Sequence, residues 1–316
     1  MISIIILTYN NLALTKKCLA TLSKNTPKKH LDDVIVVDND SSDETPTFLK
    51  GQEGINPILN KENVGFSKGN NIGAKKAKGN LLIFLNNDTE VQENWLEPII
   101  KIFDNDEKVG AVGVKLLFPE GLVQHAGVVL SEDHIPRNLY RGEEAVKSYV
   151  NKQREFKAVT AACIAVKKEV FEQIGGFDEE YLNGLEDVDL CLRIKKNGYK
   201  IFYTPESTVI HHESVAPDRF KFNANNYKIF RNNWGNETPD EHKYLAEDGF
   251  NKIQILWHDL KSMAYNNGQY AQTPLRIKIL KVFYIPLQKL FIVCKLIITL
   301  DFKTLNRKIK RAVNHG

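Results

Sequence analysis

Gly175-Gly176-Phe177-Asp178-Glu179 is followed shortly by Leu185-Glu186-Asp187-Val188-Asp189-Leu190, which sets three carboxylates into an apolar stretch that reads as a helix start. Acidic side chains favour the positive end of a helix dipole, so an exposed cap is one reading of Glu186 and Asp187. The other makes Asp187 a general base. Burial and the neighbouring Glu186 carboxylate would raise its proton affinity towards a useful range. Three more polar clusters close apolar runs upstream: Thr8-Tyr9-Asn10, Asp38-Asn39-Asp40-Ser41-Ser42-Asp43 and Asn86-Asn87-Asp88-Thr89. Together the four describe a site for a nucleotide, a metal and a deprotonated hydroxyl.

Asp88 follows a buried run, and a carboxylate there can hold a divalent cation against a diphosphate. Magnesium or manganese suits oxygen ligands, and manganese also accepts imidazole. His211 or His212 could supply the imidazole. Adjacent residues of a strand point to opposite faces, so only one of the pair is expected at a metal. Asp38 could accept the N3–H of a uracil or thymine ring, or form an Asx turn with Ser41-Ser42. The stretch Asn63-Val64-Gly65-Phe66-Ser67-Lys68-Gly69-Asn70-Asn71 opens a helix after a glycine loop, where backbone amides can face an anion. No P-loop or dinucleotide-binding glycine fingerprint is present.

The elements that must position these groups are legible as runs. Ile2–Leu7, Val34–Val37 and Leu81–Leu85 are continuous apolar stretches of strand length, as expected for strands covered on both faces. Helical patterns lie between them at Leu12–Leu22, Thr45–Lys50 and Ser67–Lys78. The alternation predicts an open α/β sheet, mostly parallel, with ligands beyond the carboxyl ends of its strands. Residues 118–157 are looser. Val159–Val166 reads as a strand, Lys168–Ile174 as a short helix, and Ile201–Tyr203 and Thr208–Ile210 as two further strands.

A chain of 316 residues with 42% hydrophobic content is globular. Its net charge of +4 hides an asymmetry: residues 273–316 carry ten Lys or Arg and one acid, whereas residues 1–272 carry 33 basic and 38 acidic residues. No nucleic-acid partner is expected from that balance. Cys18, Cys163, Cys191 and Cys294 form no CxxC pair, which fits a reducing compartment. The first seven residues lack a basic n-region and are read as a strand rather than a signal peptide, which places the chain in the cytoplasm.

The ordered set Ser3–Asn10, Val36–Asn39, Glu62–Asn71, Leu85–Asp88, Gly175–Glu179 and Glu186–Leu190 resembles family 2 glycosyltransferases, nearest their rhamnosyltransferase-like branch. The resemblance covers roughly residues 1–215. It implies a GT-A fold and transfer from a nucleotide-sugar donor with inversion. On this basis Thr8, Tyr9 and Asp38 hold the nucleotide base, and Asn63 and Asn71 lie near the nucleotide or sugar. Asp88 matches the last acid of the family's DxD metal motif, with Mn2+ or Mg2+ as cofactor, and His211 the metal-binding histidine. Asp187 matches the catalytic base, beside Glu186. Asn86, Asn87 and Gly65 stand at donor or acceptor positions. Asn86 replaces the first aspartate of DxD, which leaves the metal site with less charge.

The implied division is a catalytic domain over 1–245, with a nucleotide half (1–115) and an acceptor half (116–245), then a helical extension over 246–316. Leu275–Leu300 is apolar but carries Arg276, Lys278, Lys281, Lys289 and Lys295, which argues against a spanning helix. Amphipathic helices on an anionic membrane surface, at the inner face of the cell membrane, are one reading; a helical pair packed on the body is the other. A glycan or lipid-linked acceptor would suit the first. The expected donor is dTDP-rhamnose, then a UDP-sugar, in assembly of a bacterial surface polysaccharide. The rival from another class is a catalytically silent nucleotide- or sugar-binding module, for which Asp187 would be dispensable.

Overall fold

In chain order the elements are β1 (Ile2–Thr8), α1 (Leu12–Asn25), β2 (Val34–Asp38), α2 (Thr45–Gly51), β3 (Asn56–Leu59), α3 (Phe66–Lys76), β4 (Leu81–Asn86), β5 (Thr89–Val91), α4 (Glu97–Asn105), β6 (Val109–Leu117), β7 (Val123–His125), β8 (Val128–Leu130), β9 (Pro136–Asn138), β10 (Arg154–Glu155), β11 (Cys163–Lys167), α5 (Lys168–Gln173), α6 (Glu186–Lys196), β12 (Lys200–His211), α7 (Asn223–Trp234) and α8 (Glu241–Glu247). They come from a computed structural model that describes residues 1–213, 223–256 and 258. Two compact units, Met1–Tyr244 and Leu245–Gly316, divide the chain. The basic tail over 273–316, Cys294 and the membrane-facing helices expected there lie outside the described residues. Among the described residues no helix is long and apolar enough to cross a membrane.

The main sheet runs β10-β12-β6-β11-β4-β1-β2-β3. Its β4-β1-β2-β3 half is wholly parallel, as the alternation of apolar runs and helices predicts. The other half is mixed: β11 runs antiparallel to both β4 and β6, and β12 runs parallel to β6. Ile4, Ile5, Ile6, Val36, Val37, Ile83 and Phe84 are wholly buried. Each such side chain contributes about 1.5–3 kcal/mol relative to exposure. Helix α3 lies flat on β1 because Gly69 has no side chain; a Cβ there would stand 2.5 Å from Leu7 Cδ1.

Two departures from the expected elements have physical causes. The two strands expected at 201–203 and 208–210 form one strand, β12, whose register against β6 slips between Thr204 and Thr208. Pro205 lies in that slip and has no N–H for a ladder. The strand expected over 159–166 begins only at Cys163. Before that point the backbone is engaged by α6: Val159 N–H meets Cys191 Sγ at 3.5 Å, and Ala161 N–H is donated to Asp187 Oδ2 at 3.1 Å.

Candidate active site

The parallel register sets Thr8 beside Asp38 at the ends of β1 and β2. Asp38 is 1% exposed, and its two oxygens differ. Oδ2 accepts the Ser41 N–H at 3.1 Å in the Asx turn that was one reading of this residue. Oδ1 is buried with no hydrogen-bond partner in the protein, as a base-binding acceptor would be. The two strand-end loops are tied together, since Asn10 N–H is donated to Ser41 Oγ at 2.7 Å and Asn10 Oδ1 accepts the Ser42 N–H at 2.8 Å. Tyr9, 42% exposed, stands at this edge.

Asn39, one residue beyond β2, organises the next loop. Its amide nitrogen donates to Asn63 Oδ1 and to the Gly65 carbonyl, both at 3.0 Å, and its oxygen accepts from Asn60 Nδ2 at 2.9 Å. Asn63 and Gly65 thereby take fixed places next to Asp38, Gly65 at a φ of 83°. Asn71 lies a turn and a half along α3 and turns away from that loop. Its Nδ2 donates to the Phe177 carbonyl at 2.9 Å and to Glu179 Oε1 at 3.0 Å, and its Oδ1 accepts the Phe177 N–H at 3.0 Å. The amide expected near the donor is thus committed to the Gly175–Glu179 loop. The helix-start anion site also meets an obstacle, because Phe66 N–H is donated to the Leu182 carbonyl at 3.3 Å.

The third cluster sits at the end of β4. Asn87 Nδ2 donates to Thr8 Oγ1 at 3.1 Å and Thr15 Oγ1 at 3.0 Å, which joins the β4 end to the β1 end. Asp88 Oδ1 stands 3.1 Å from His211 Nε2, and Asn86 Nδ2 is 3.5 Å from the same nitrogen. Of the paired histidines only His211 faces Asp88. His212 points the other way and meets Glu90 Oε1 at 2.5 Å, beside Lys17 Nζ at 2.7 Å from the same oxygen. Carboxylate and imidazole within 3.1 Å fit a divalent cation that takes mixed oxygen and nitrogen ligands. Among the described residues no third His, Cys, Asp or Glu completes a protein cage. The remaining positions would fall to diphosphate oxygens and water.

The fourth cluster separates into three roles. Leu185, at a φ of 72°, caps α6 in the left-handed region, where a bulky residue is strained. The following Glu186 is buried and its carboxylate accepts the Gly184 N–H. Asp189 is buried against Arg193 Nε at 2.7 Å and the indole N–H of Trp234 at 2.8 Å. Arg193 in turn donates to the carbonyls of Ile174 and Gly176, which clamps the glycine loop to the helix. Of the three only Asp187 reaches the segment before β11, accepting the N–H of Ala161 at 3.1 Å and of Val188 at 2.8 Å. Burial pushes its carboxyl above the ordinary carboxylate range, against the pull of the Ala161 and Val188 amides and the Thr160 hydroxyl.

Segment 160–162 joins α6 to the end of β4, because the Ala162 carbonyl accepts the Asn86 N–H at 3.0 Å. The groups at 8, 38, 86–88 and 187 therefore share one sheet edge through a short chain of contacts. Thr15, Asn39, Gln124 and the 160–162 backbone belong to the same edge and were not singled out from sequence. Asn39 had a visible signal, lying inside the polar cluster after β2. The others are ordinary residues whose position only the fold discloses.

Residues 3–175 match the family model described as glycosyl transferase family 2, and residues 144–214 match that of the N-terminal domain of galactosyltransferase. An O-antigen biosynthesis protein of Myxococcus xanthus is 37% identical over 206 residues, which is 62% of this chain and 16% of that protein. An N-acetylglucosaminyl-diphospho-decaprenol L-rhamnosyltransferase of Mycobacterium tuberculosis is 25% identical over 68% of this chain and 77% of its own length. Among solved structures, GalNAc-T7 with UDP, GalNAc and Mn2+ superposes with a TM-score of 0.61 at 18% identity, covering 87% of this chain and 58% of the other. That likeness fixes the fold as GT-A. The chain belongs to glycosyl transferase family 2.

Proposed function

We propose that the protein transfers a sugar, with inversion, from a nucleotide-diphosphate donor to a hydroxyl of a glycan or lipid-linked acceptor during synthesis of a surface polysaccharide. The observation that supports this is that segment 160–162 links Asp187 to Asn86 at the end of β4, two residues before Asp88. Asp187 removes the proton of the acceptor hydroxyl as its oxygen attacks the anomeric carbon. The new C–O bond forms on the face opposite the bond to the diphosphate, which departs with its electron pair. Charge on the sugar develops as in glycoside hydrolysis. Asp38, Thr8 and Tyr9 hold the base, and Asn63 and Gly65 border it. Asp88 and His211 would hold the cation, whose chemistry there is to neutralise the leaving diphosphate.

dTDP-rhamnose is the first donor in this reading and UDP-sugars the next; the relative named as an L-rhamnosyltransferase supports rhamnose as the sugar. A panel of nucleotide sugars, with and without Mn2+, scored for nucleotide release and for product on membrane extracts, tests it. No release from any donor would favour the silent binding module instead. The reading includes attachment of the basic 273–316 tail to an acidic membrane at the inner face of the cell membrane. Deleting it should release the protein from acidic liposomes, and unchanged binding rejects that part.

A further inference from the structure

Gln124, on β7, is 2% exposed and gives both ends of its amide to a single residue. Its Nε2 donates to the His211 main-chain carbonyl at 3.2 Å, and its Oε1 stands 2.6 Å from His211 Nδ1. The first contact fixes the orientation of the amide, because a carbonyl oxygen can only accept. Oε1 must then face the ring, and an amide oxygen can only accept as well. Nδ1 therefore carries a proton. The neutral ring has its lone pair on Nε2, the nitrogen 3.1 Å from Asp88 Oδ1. In that form Nε2 and Asp88 Oδ1 are both acceptors, and their 3.1 Å separation is one at which a single divalent cation can take both as ligands.

We propose that Gln124 is a positioning residue that locks His211 in the Nδ1–H tautomer, so that Nε2 and Asp88 together present a ready-made pair of ligands to a divalent metal. Ring orientation is set by the same clamp, since the amide grips the backbone and the imidazole of one residue at once. Hydrogen bonds of this kind to the second nitrogen of a metal-binding histidine raise its basicity and fix its direction. The inference rests on the metal assignment of Asp88 and His211 above and adds the group that prepares it.

The test uses the full chain and Mn2+ alone as probe, with binding followed by loss of the free-ion electron paramagnetic resonance signal. Histidine 15N resonances, assigned through His211→Ala, report which ring nitrogen holds the proton before any metal is added. The expected result is an Nδ1–H ring in the wild type. Gln124→Leu should shift the ring to Nε2–H and weaken Mn2+ binding about 10–100-fold. Adding Gln124→Leu to His211→Ala should cost nothing further. Gln124→Glu keeps an oxygen facing Nδ1 but loses the N–H donated to the His211 carbonyl, so it should retain the Nδ1–H ring and bind Mn2+ more tightly than Gln124→Leu. An Nε2–H ring in the wild-type protein overturns the proposal without recourse to any variant, as does wild-type Mn2+ affinity in a folded Gln124→Leu. If His211→Ala itself binds Mn2+ normally, the metal assignment falls, and the role of Gln124 with it.

Discussion

Asp187 accepts the backbone N–H of Ala161 at 3.1 Å across 26 residues of sequence. The neighbouring Ala162 carbonyl accepts from Asn86 at the end of β4, so one peptide segment sets the spacing between the proposed general base and the proposed diphosphate edge. Asp187→Asn keeps the size of the side chain and removes its basicity. Transfer should fall by at least about 100-fold, the low end of what a positioned general base supplies. Donor affinity should stay within a few-fold, measured by calorimetry with the nucleotide sugar. Loss of both together would assign Asp187 to structure alone.

Because burial raises the Asp187 carboxyl, its protonated form persists to higher pH than that of an ordinary aspartate near 3.8. A base works only when ionised, so the rate should rise with pH through the raised value and be flat above it. The sign for stability is the opposite. The folded state holds this proton more tightly than the unfolded chain, so ionising Asp187 costs stability as pH rises between the two values. A kcat/KM profile with no acidic limb above the ordinary aspartate range would remove the base assignment.

Asp38 offers one committed and one uncommitted oxygen at the end of β2. If Oδ1 accepts the N3–H of uracil or thymine, Asp38→Ala loses a charge-assisted hydrogen bond of about 1.5–3 kcal/mol, a roughly 10–150-fold weaker Kd. Cytosine has no N3–H, so CDP should bind the wild type poorly and the variant no worse. Calorimetry with UDP, dTDP and CDP measures both arms. Equal losses for all three nucleotides would trace the effect to the Asx turn.

The parallel half of the sheet and its polar strand ends were readable because each apolar run stops abruptly at Asn, Asp or Thr. Periodicity also found α1, α3 and α6. It could not divide labour within Glu186-Asp187-Val188-Asp189, since one helix turn sends the three carboxylates to Gly184, to Ala161 and to Arg193 with Trp234. Nor could it assign Asn71, whose polarity suits a ligand but whose amide closes on Phe177. Gln124 was silent because its partner is 87 residues away. Local pattern reports where a strand ends; it does not report what faces that end from another element.

Asn71 therefore carries a structural prediction. Gly176, at a φ of 75°, leaves room for the Asn71 amide where a Cβ would stand 2.7 Å from its Oδ1. Asn71→Ala removes three hydrogen bonds and strands the Phe177 N–H and carbonyl, at a cost of about 2–4 kcal/mol. The midpoint of urea denaturation should fall accordingly. Mn2+ affinity should be unchanged, because β4 and β12 do not depend on this loop for their pairing. A variant as stable as wild type would mean the loop is held by Arg193 and the Phe66, Phe84 and Phe177 ring contacts without help from Asn71.

His125 is wholly buried beside Gln124, with Nδ1 donating to Asn138 Oδ1 at 2.6 Å and Nε2 accepting the Gly127 N–H at 3.3 Å. Burial lowers its pKa from 6.5 to about 4. The unfolded chain takes up this proton first as the solution is acidified. Stability from the neutral ring is thus complete above the unfolded value of 6.5 and is lost progressively as pH falls towards 4. The whole span is worth about 3 kcal/mol. His125→Asn, which cannot protonate, should be less stable at pH 7 yet decline more gently on acidification, so its deficit narrows by about that amount at pH 4. Urea denaturation of both proteins at intervals from pH 7 to pH 4 measures the difference in slope. Parallel declines would show that His125 protonates in the folded state as readily as in the unfolded chain.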